Sequence, residues 1–155
     1  MSEMPLPDFN YITDRFLIGG YVKSHGQAKG LVGLGVTHVV NVDEETMPDE
    51  LEYPAWRRVS YLYAPTPDDH KGKPLEWFAK IVPFVLHAVS KPRTKIYGHC
   101  AAGISRSALL WYSVFRALGM KKEEIEPFMI SKRSVAFWPE YRKSAEDALK
   151  QLGYT

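Results

Sequence analysis

Ile96-Tyr97-Gly98-His99-Cys100-Ala101-Ala102-Gly103-Ile104-Ser105-Arg106-Ser107 joins an apolar run to a loop of small residues. The loop opens into Ala108-Leu109-Leu110-Trp111-Tyr112-Ser113-Val114-Phe115, long and apolar enough for a buried helix. A strand, a tight loop and a helix in succession aim several backbone N–H groups and the positive helix end at one spot, which suits an anion. Cys100, the single cysteine, stands at one end of the loop and Arg106 at the other. A thiolate nucleophile and a forked guanidinium around one anion site point to phosphoryl chemistry.

Strand and helix patterns alternate on both sides of this centre. Arg15–Gly20 reads as a short strand closed by a glycine turn, and Ser24 as the cap of a helix over 25–34. Thr37-His38-Val39-Val40-Asn41-Val42 is apolar on both faces, as a central strand should be. Asp43 to Glu52, with six carboxylates and Pro48, reads as a solvated loop with room for one helical turn. Arg58–Tyr63 is a third strand, and Ala64-Pro65-Thr66-Pro67-Asp68-Asp69-His70 a loop. A helix follows from Pro74 to Val89, kinked at Pro83, and Thr94–His99 is the strand that enters the anion loop. The helix from Ser105 ends at Gly119, and two more are expected over 122–133 and 139–152. This order predicts an α/β three-layer sandwich, with a mostly parallel central sheet of four to five strands and helices on both faces. Residues 1–10, with two prolines, read as an irregular N-terminal arm, and 11–155 as one catalytic domain.

The 155 residues are 45% hydrophobic and 25% charged, a composition that folds rather than stays disordered. A formal net charge of +2 is too weak to argue for a nucleic acid partner. No apolar run reaches membrane-spanning length, and the start lacks the form of a secretory signal, so no membrane association is expected. One cysteine excludes an internal disulfide and a multi-thiolate metal site, and suits a reducing cytoplasm.

His99-Cys100-Ala101-Ala102-Gly103-Ile104-Ser105-Arg106-Ser107 resembles the His-Cys-x5-Arg-Ser/Thr motif of cysteine-dependent protein tyrosine phosphatases, and its Gly-Ile-Ser-Arg-Ser ending resembles the dual-specificity branch. The resemblance implies that fold for most of the chain, and roles for particular residues. Cys100 is then the nucleophile, its thiolate favoured by the loop amides, the helix end and Arg106. Arg106 and the backbone of Ala101, Ala102, Gly103, Ile104 and Ser105 hold the phosphoryl oxygens. Ser107 supports departure of the sulfur, and His99 supports the loop from behind. An aspartate on a separate loop serves as general acid and then as base. Asp68 fits that place best, with Asp69 as the alternative. The chemistry requires neither metal nor cofactor.

The variable loop positions Ala101, Ala102, Ile104 and Ser105 are neutral, which disfavours polyanionic phosphoinositides or RNA 5′-triphosphates. The implied partner is a phosphorylated protein or peptide bearing phosphotyrosine, with phosphoserine and phosphothreonine also admitted. A non-catalytic phosphate-binding module on the same fold is the competing reading. His70 is expected on a solvated loop position. Arg133 is expected to favour a helix end, with a second phosphate contact as the alternative.

Overall fold

The computed structural model describes residues 5–155; residues 1–4 of the expected arm lie outside the described residues. Five strands form one sheet: β1 Phe9–Tyr11, β2 Phe16–Gly19, β3 His38–Asp43, β4 Ser60–Thr66 and β5 Ile96–His99. Their order across the sheet is β1-β2-β5-β3-β4, with β1 antiparallel and the other four parallel. The helices are α1 His25–Gly33, α2 Pro48–Leu51, α3 Leu75–Val89, α4 Arg106–Ala117, α5 Lys122–Ile130 and α6 Pro139–Gln151. A sheet buried on both faces needs apolar residues on both sides of each strand. It divides the core into two clusters, one toward α3–α6 and a smaller one toward α1 and the 3-10 turn Pro54–Arg58. The α/β class and the covered, mostly parallel sheet agree with the sequence.

Several boundaries differ, most of them for a local reason. Phe9–Tyr11 pairs with Gly19, Ile18 and Leu17, so a strand occupies the end of the stretch expected to be irregular. Tyr53-Pro54 opens a 3-10 turn that buries Trp56, so β4 starts later than the sequence suggests. β4 then runs on through Pro65 to Thr66, because it is an edge strand and a missing N–H there costs no ladder bond. At α5, the helix ends at Ile130 rather than at Arg133.

β5 lies between β2 and β3, so its last residue emerges near the middle of the edge where the parallel strands end. Ligands gather at that edge in open α/β sheets. α4 begins seven residues later and is buried continuously from Arg106 to Phe115. Gly98 permits its close approach: a Cβ there would sit 2.6 Å from Leu110 Cδ2 and 2.7 Å from Trp111 Nε1.

Candidate active site

The loop between β5 and α4 is held from outside. Its carbonyls are taken in turn: Ala101 O by Tyr21 N at 3.0 Å, Ala102 O by Arg133 Nη2 at 3.0 Å, Gly103 O by Arg133 Nε at 2.8 Å, and Ile104 O by Ala136 N at 2.9 Å. With the carbonyls drawn outward, a tightly curved backbone presents its N–H groups inward, the arrangement that binds anions. Gly103 makes the curve possible. Its φ is +71°, and a Cβ there would lie 2.5 Å from the Gly19 carbonyl carbon.

Cys100 sits at the bottom, 3% exposed, its sulfur accepting from Gly103 N at 3.2 Å and lying 3.3 Å from Ser107 Oγ. Ser107 is fully buried on the first turn of α4, so its hydroxyl is fixed against the sulfur. His99 Nδ1 is 3.1 Å from the Cys100 carbonyl, and its ring stacks on Tyr97. Burial lowers its pKa to about 4, so the imidazole is a neutral brace behind the loop.

Arg106 closes the other end. Its Nη1 donates to Glu45 Oε2 at 2.8 Å and to Thr66 O at 3.0 Å, with Asp43 Oδ1 3.6 Å away. Its Nε is buried with no acceptor among the described residues. One edge of the guanidinium is therefore anchored, while the Nε edge is left for a ligand. Asp43 is pushed up to about 6 by burial and by the Glu45 carboxylate beside it. Glu45 is held at about 2 by hydrogen bonds with Asp43 and Arg106. The acidic segment after β3 is thus partly internal: Asp43 and Glu50 are buried, and Glu45 orients Arg106.

The two neighbouring aspartates diverge. Asp68 Oδ1 accepts from Ser105 Oγ at 2.8 Å and from Tyr141 Oη at 3.1 Å, and Asp68 lines the same cavity as Cys100 and Arg106. Asp69 instead binds Lys73 Nζ at 2.9 Å and accepts from Lys71 N at 3.0 Å. Lys73 holds its carboxyl below the usual carboxylate range. The cavity holds about 200 Å³ and is walled by Ala101, Ala102, Ile104, His70 and Trp138. His70 is exposed as expected, yet it adopts a left-handed φ of +62° and stacks on Trp138 at 3.7 Å.

Three site residues escape the sequence reading. Glu45 falls in a run whose sequence reads as solvated, although its position just past a central strand is a signal available in sequence. In sequence Tyr141 is only one member of an apolar helix face. Arg133 is neither a helix-end cation nor placed toward the phosphate side: past the end of α5 it clamps the loop carbonyls and binds Asp8 and Asn10.

Residues 19–134 match the family model for the dual specificity phosphatase catalytic domain. Human dual specificity protein phosphatase 4 is 33% identical over 109 residues, covering 68% of this chain and 25% of that protein. Human dual specificity protein phosphatase 1 is 28% identical over 113 residues, covering 72% of this chain and 29% of that protein. The chain thus spans less than a third of the length of these relatives. Among solved structures, PTPMT1 superposes with a TM-score of 0.77 at 21% identity, over 93% of this chain and 95% of that one. The human tyrosine phosphatase-like serine/threonine/tyrosine-interacting protein gives 0.80 at 17% identity, over 94% and 98%. At such identities these likenesses speak for the fold, and the motif and the matched residues speak for the lineage: the chain belongs to the dual specificity phosphatase family.

Proposed function

We propose that this chain is a cysteine-dependent phosphatase acting on phosphomonoesters of protein side chains, phosphotyrosine together with phosphoserine and phosphothreonine. The observation that carries the reading is the Arg106 Nε: a permanently charged, buried donor without an acceptor, at the edge of a small cavity that also contains Cys100. A buried unpaired donor is costly, and a phosphoryl oxygen relieves it.

In the first step the Cys100 thiolate attacks phosphorus. The S–P bond forms as the P–O bond to the leaving group breaks, and Asp68 gives its proton to the departing oxygen. Arg106 and the inward amides from Ala101 to Arg106 take the charge on the remaining oxygens. In the second step Asp68 removes a proton from water, the new P–O bond forms and the S–P bond breaks. Ser107 hydrogen-bonds the leaving sulfur, and inorganic phosphate departs. The Lys73 ion pair of Asp69 favours its ionised form, which leaves Asp68 as the acid. Neutral walls and a 200 Å³ volume fit one phosphoryl group better than a polyanionic head group, and Glu45 at the arginine adds repulsion toward further negative charge.

The test is hydrolysis of a small aryl phosphate by wild type, Cys100→Ser and Arg106→Lys. Wild type should turn over, Cys100→Ser should lose nearly all activity, and Arg106→Lys should lose about 10³-fold. An inactive wild type whose Cys100→Ser form still binds phosphate would make the chain a binding module. A panel of phosphotyrosine and phosphothreonine peptides, phosphoinositides and triphosphate RNA then decides the substrate. Faster turnover of a phosphoinositide or of triphosphate RNA would sink the protein-substrate reading.

A further inference from the structure

Asp68 stands on an exposed loop, so burial does not explain why its carboxyl is held over the cavity. The restraint comes from α6. Tyr141, 1% exposed on the first turn of that helix, donates its hydroxyl to Asp68 Oδ1 at 3.1 Å and accepts from His70 N at 3.3 Å. One phenol therefore ties both ends of the three-residue segment 68–70. Lys73 packs its ammonium 4.8 Å from the Tyr141 ring centre, and the same ammonium bonds Pro67 O and Asp69. Ser105 Oγ adds a second hydroxyl to Asp68 Oδ1 at 2.8 Å.

We propose that Tyr141 is a positioning residue for the Asp68 acid, fixing both where the carboxyl sits and which of its oxygens carries the proton. Resting on the reading of Asp68 as general acid given above, this deepens it. The argument is one of valence. Oδ1 already receives two hydroxyl donors, so a proton on the same oxygen would displace one of them. The transferable proton therefore resides on Oδ2, which no described residue occupies. Burial pushes the Tyr141 hydroxyl up to about 12, so it stays a donor across the working range of the enzyme. The left-handed backbone at His70 is sustained by the same contacts, since its amide is bound to the phenol and its ring lies on Trp138.

The variant Tyr141→Phe keeps the ring and removes only the hydroxyl. A residue acting through a general acid matters in proportion to how badly the leaving group needs a proton. Turnover should therefore fall about tenfold on phenyl phosphate or a phosphotyrosine peptide, and less than about twofold on a nitro- or fluoro-substituted aryl phosphate. The basic limb of the kcat/KM profile should move, and the thermal midpoint should stay within about 3 °C of wild type. Asp68→Asn combined with Tyr141→Phe should be no slower than Asp68→Asn alone, because both changes act on one proton. Equal losses on good and poor leaving groups, or additive losses in the double variant, would reduce Tyr141 to a packing residue. Ser105→Ala, which removes the other donor, supplies a second reading: its loss should show the same leaving-group dependence. If Asp68→Asn itself lost activity equally on both leaving groups, the acid assignment would fall and the inference with it, whatever Tyr141→Phe did.

Discussion

Two concave regions of the molecule handle charge in opposite ways. The larger is a groove of about 600 Å³ between α1 and the 3-10 turn, lined by His25, Lys29, Val32, Pro54, Arg57 and Arg58. Lys29, Arg57 and Arg58 are exposed there, open to solvent. The smaller, about 200 Å³, contains Arg106 at 3% exposure, with an orphaned Nε and carboxylates on its opposite edge. Volume alone would favour the groove, whose lining holds no orphaned buried polar group among the described residues. An exposed cation costs little to keep, whereas a buried donor without an acceptor costs on the order of 1–3 kcal/mol, more when charged. Function is therefore read from the unmet polar group rather than from the space around it.

If that contrast is right, the small cavity should fail when remote supports are removed, and the groove should tolerate change. The largest such effect is expected at Arg133. Arg133→Ala frees the Ala102 and Gly103 carbonyls, and should lower kcat/KM on an aryl phosphate about 30-fold by letting the loop amides turn away. Turnover within twofold of wild type would show that the loop holds its curve unaided.

Glu45→Ala comes next. Glu45 is 61% exposed in its side chain, so its ion pair with Arg106 contributes modestly to stability. Its value lies in fixing the guanidinium. A loss of about tenfold is expected, seen more in KM than in melting temperature. A large fall in melting temperature with unchanged kinetics would reverse that assignment.

His99 gives a prediction in pH. Its folded-state pKa near 4 lies below the ordinary value of about 6.5, so the unfolded chain takes up the proton first as pH falls. The stabilisation is complete above about pH 6.5 and is lost as pH drops toward 4, by roughly 3 kcal/mol at most. Urea unfolding of wild type and His99→Asn across that window should show this slope only in wild type. Parallel slopes would mean that the imidazole is not held neutral. The smallest effect belongs to the groove: Arg57→Ala with Arg58→Ala should leave aryl phosphate turnover within about twofold, as for surface changes remote from a site. A tenfold loss there would break the comparison.

What sequence reveals here follows from how local each interaction is. His99 to Ser107 is contiguous, so the candidate nucleophile, arginine and hydroxyl are legible before folding. Asp68 and Asp69 share a turn and look alike in sequence. Lys73 is near in the chain, but the Tyr141 hydroxyl that holds Asp68 comes from 73 positions away. Glu45, Tyr141 and Arg133 are ordinary residues on a charged loop, an amphipathic helix and a turn beyond a helix. Only the β5-centred topology brings them to Arg106, Asp68 and the loop carbonyls. The strand at Phe9–Tyr11 is silent in sequence for a related reason: a three-residue edge strand has too little pattern to announce itself.

That short strand has a practical corollary for anyone trimming the gene. Asp8 and Asn10 hold the far side of the Arg133 guanidinium, and Gly20 N donates to the Asp8 carbonyl at 2.9 Å. Gly19 lies so close beneath that any side chain there would strike Asp8 and Phe9. A shortened version beginning at Tyr11 would keep every residue of the proposed chemistry and still lack the counterweight that holds Arg133 against the loop. Affinity tags and cleavage sites placed before residue 8 should therefore be followed by a check of specific activity, not of yield alone.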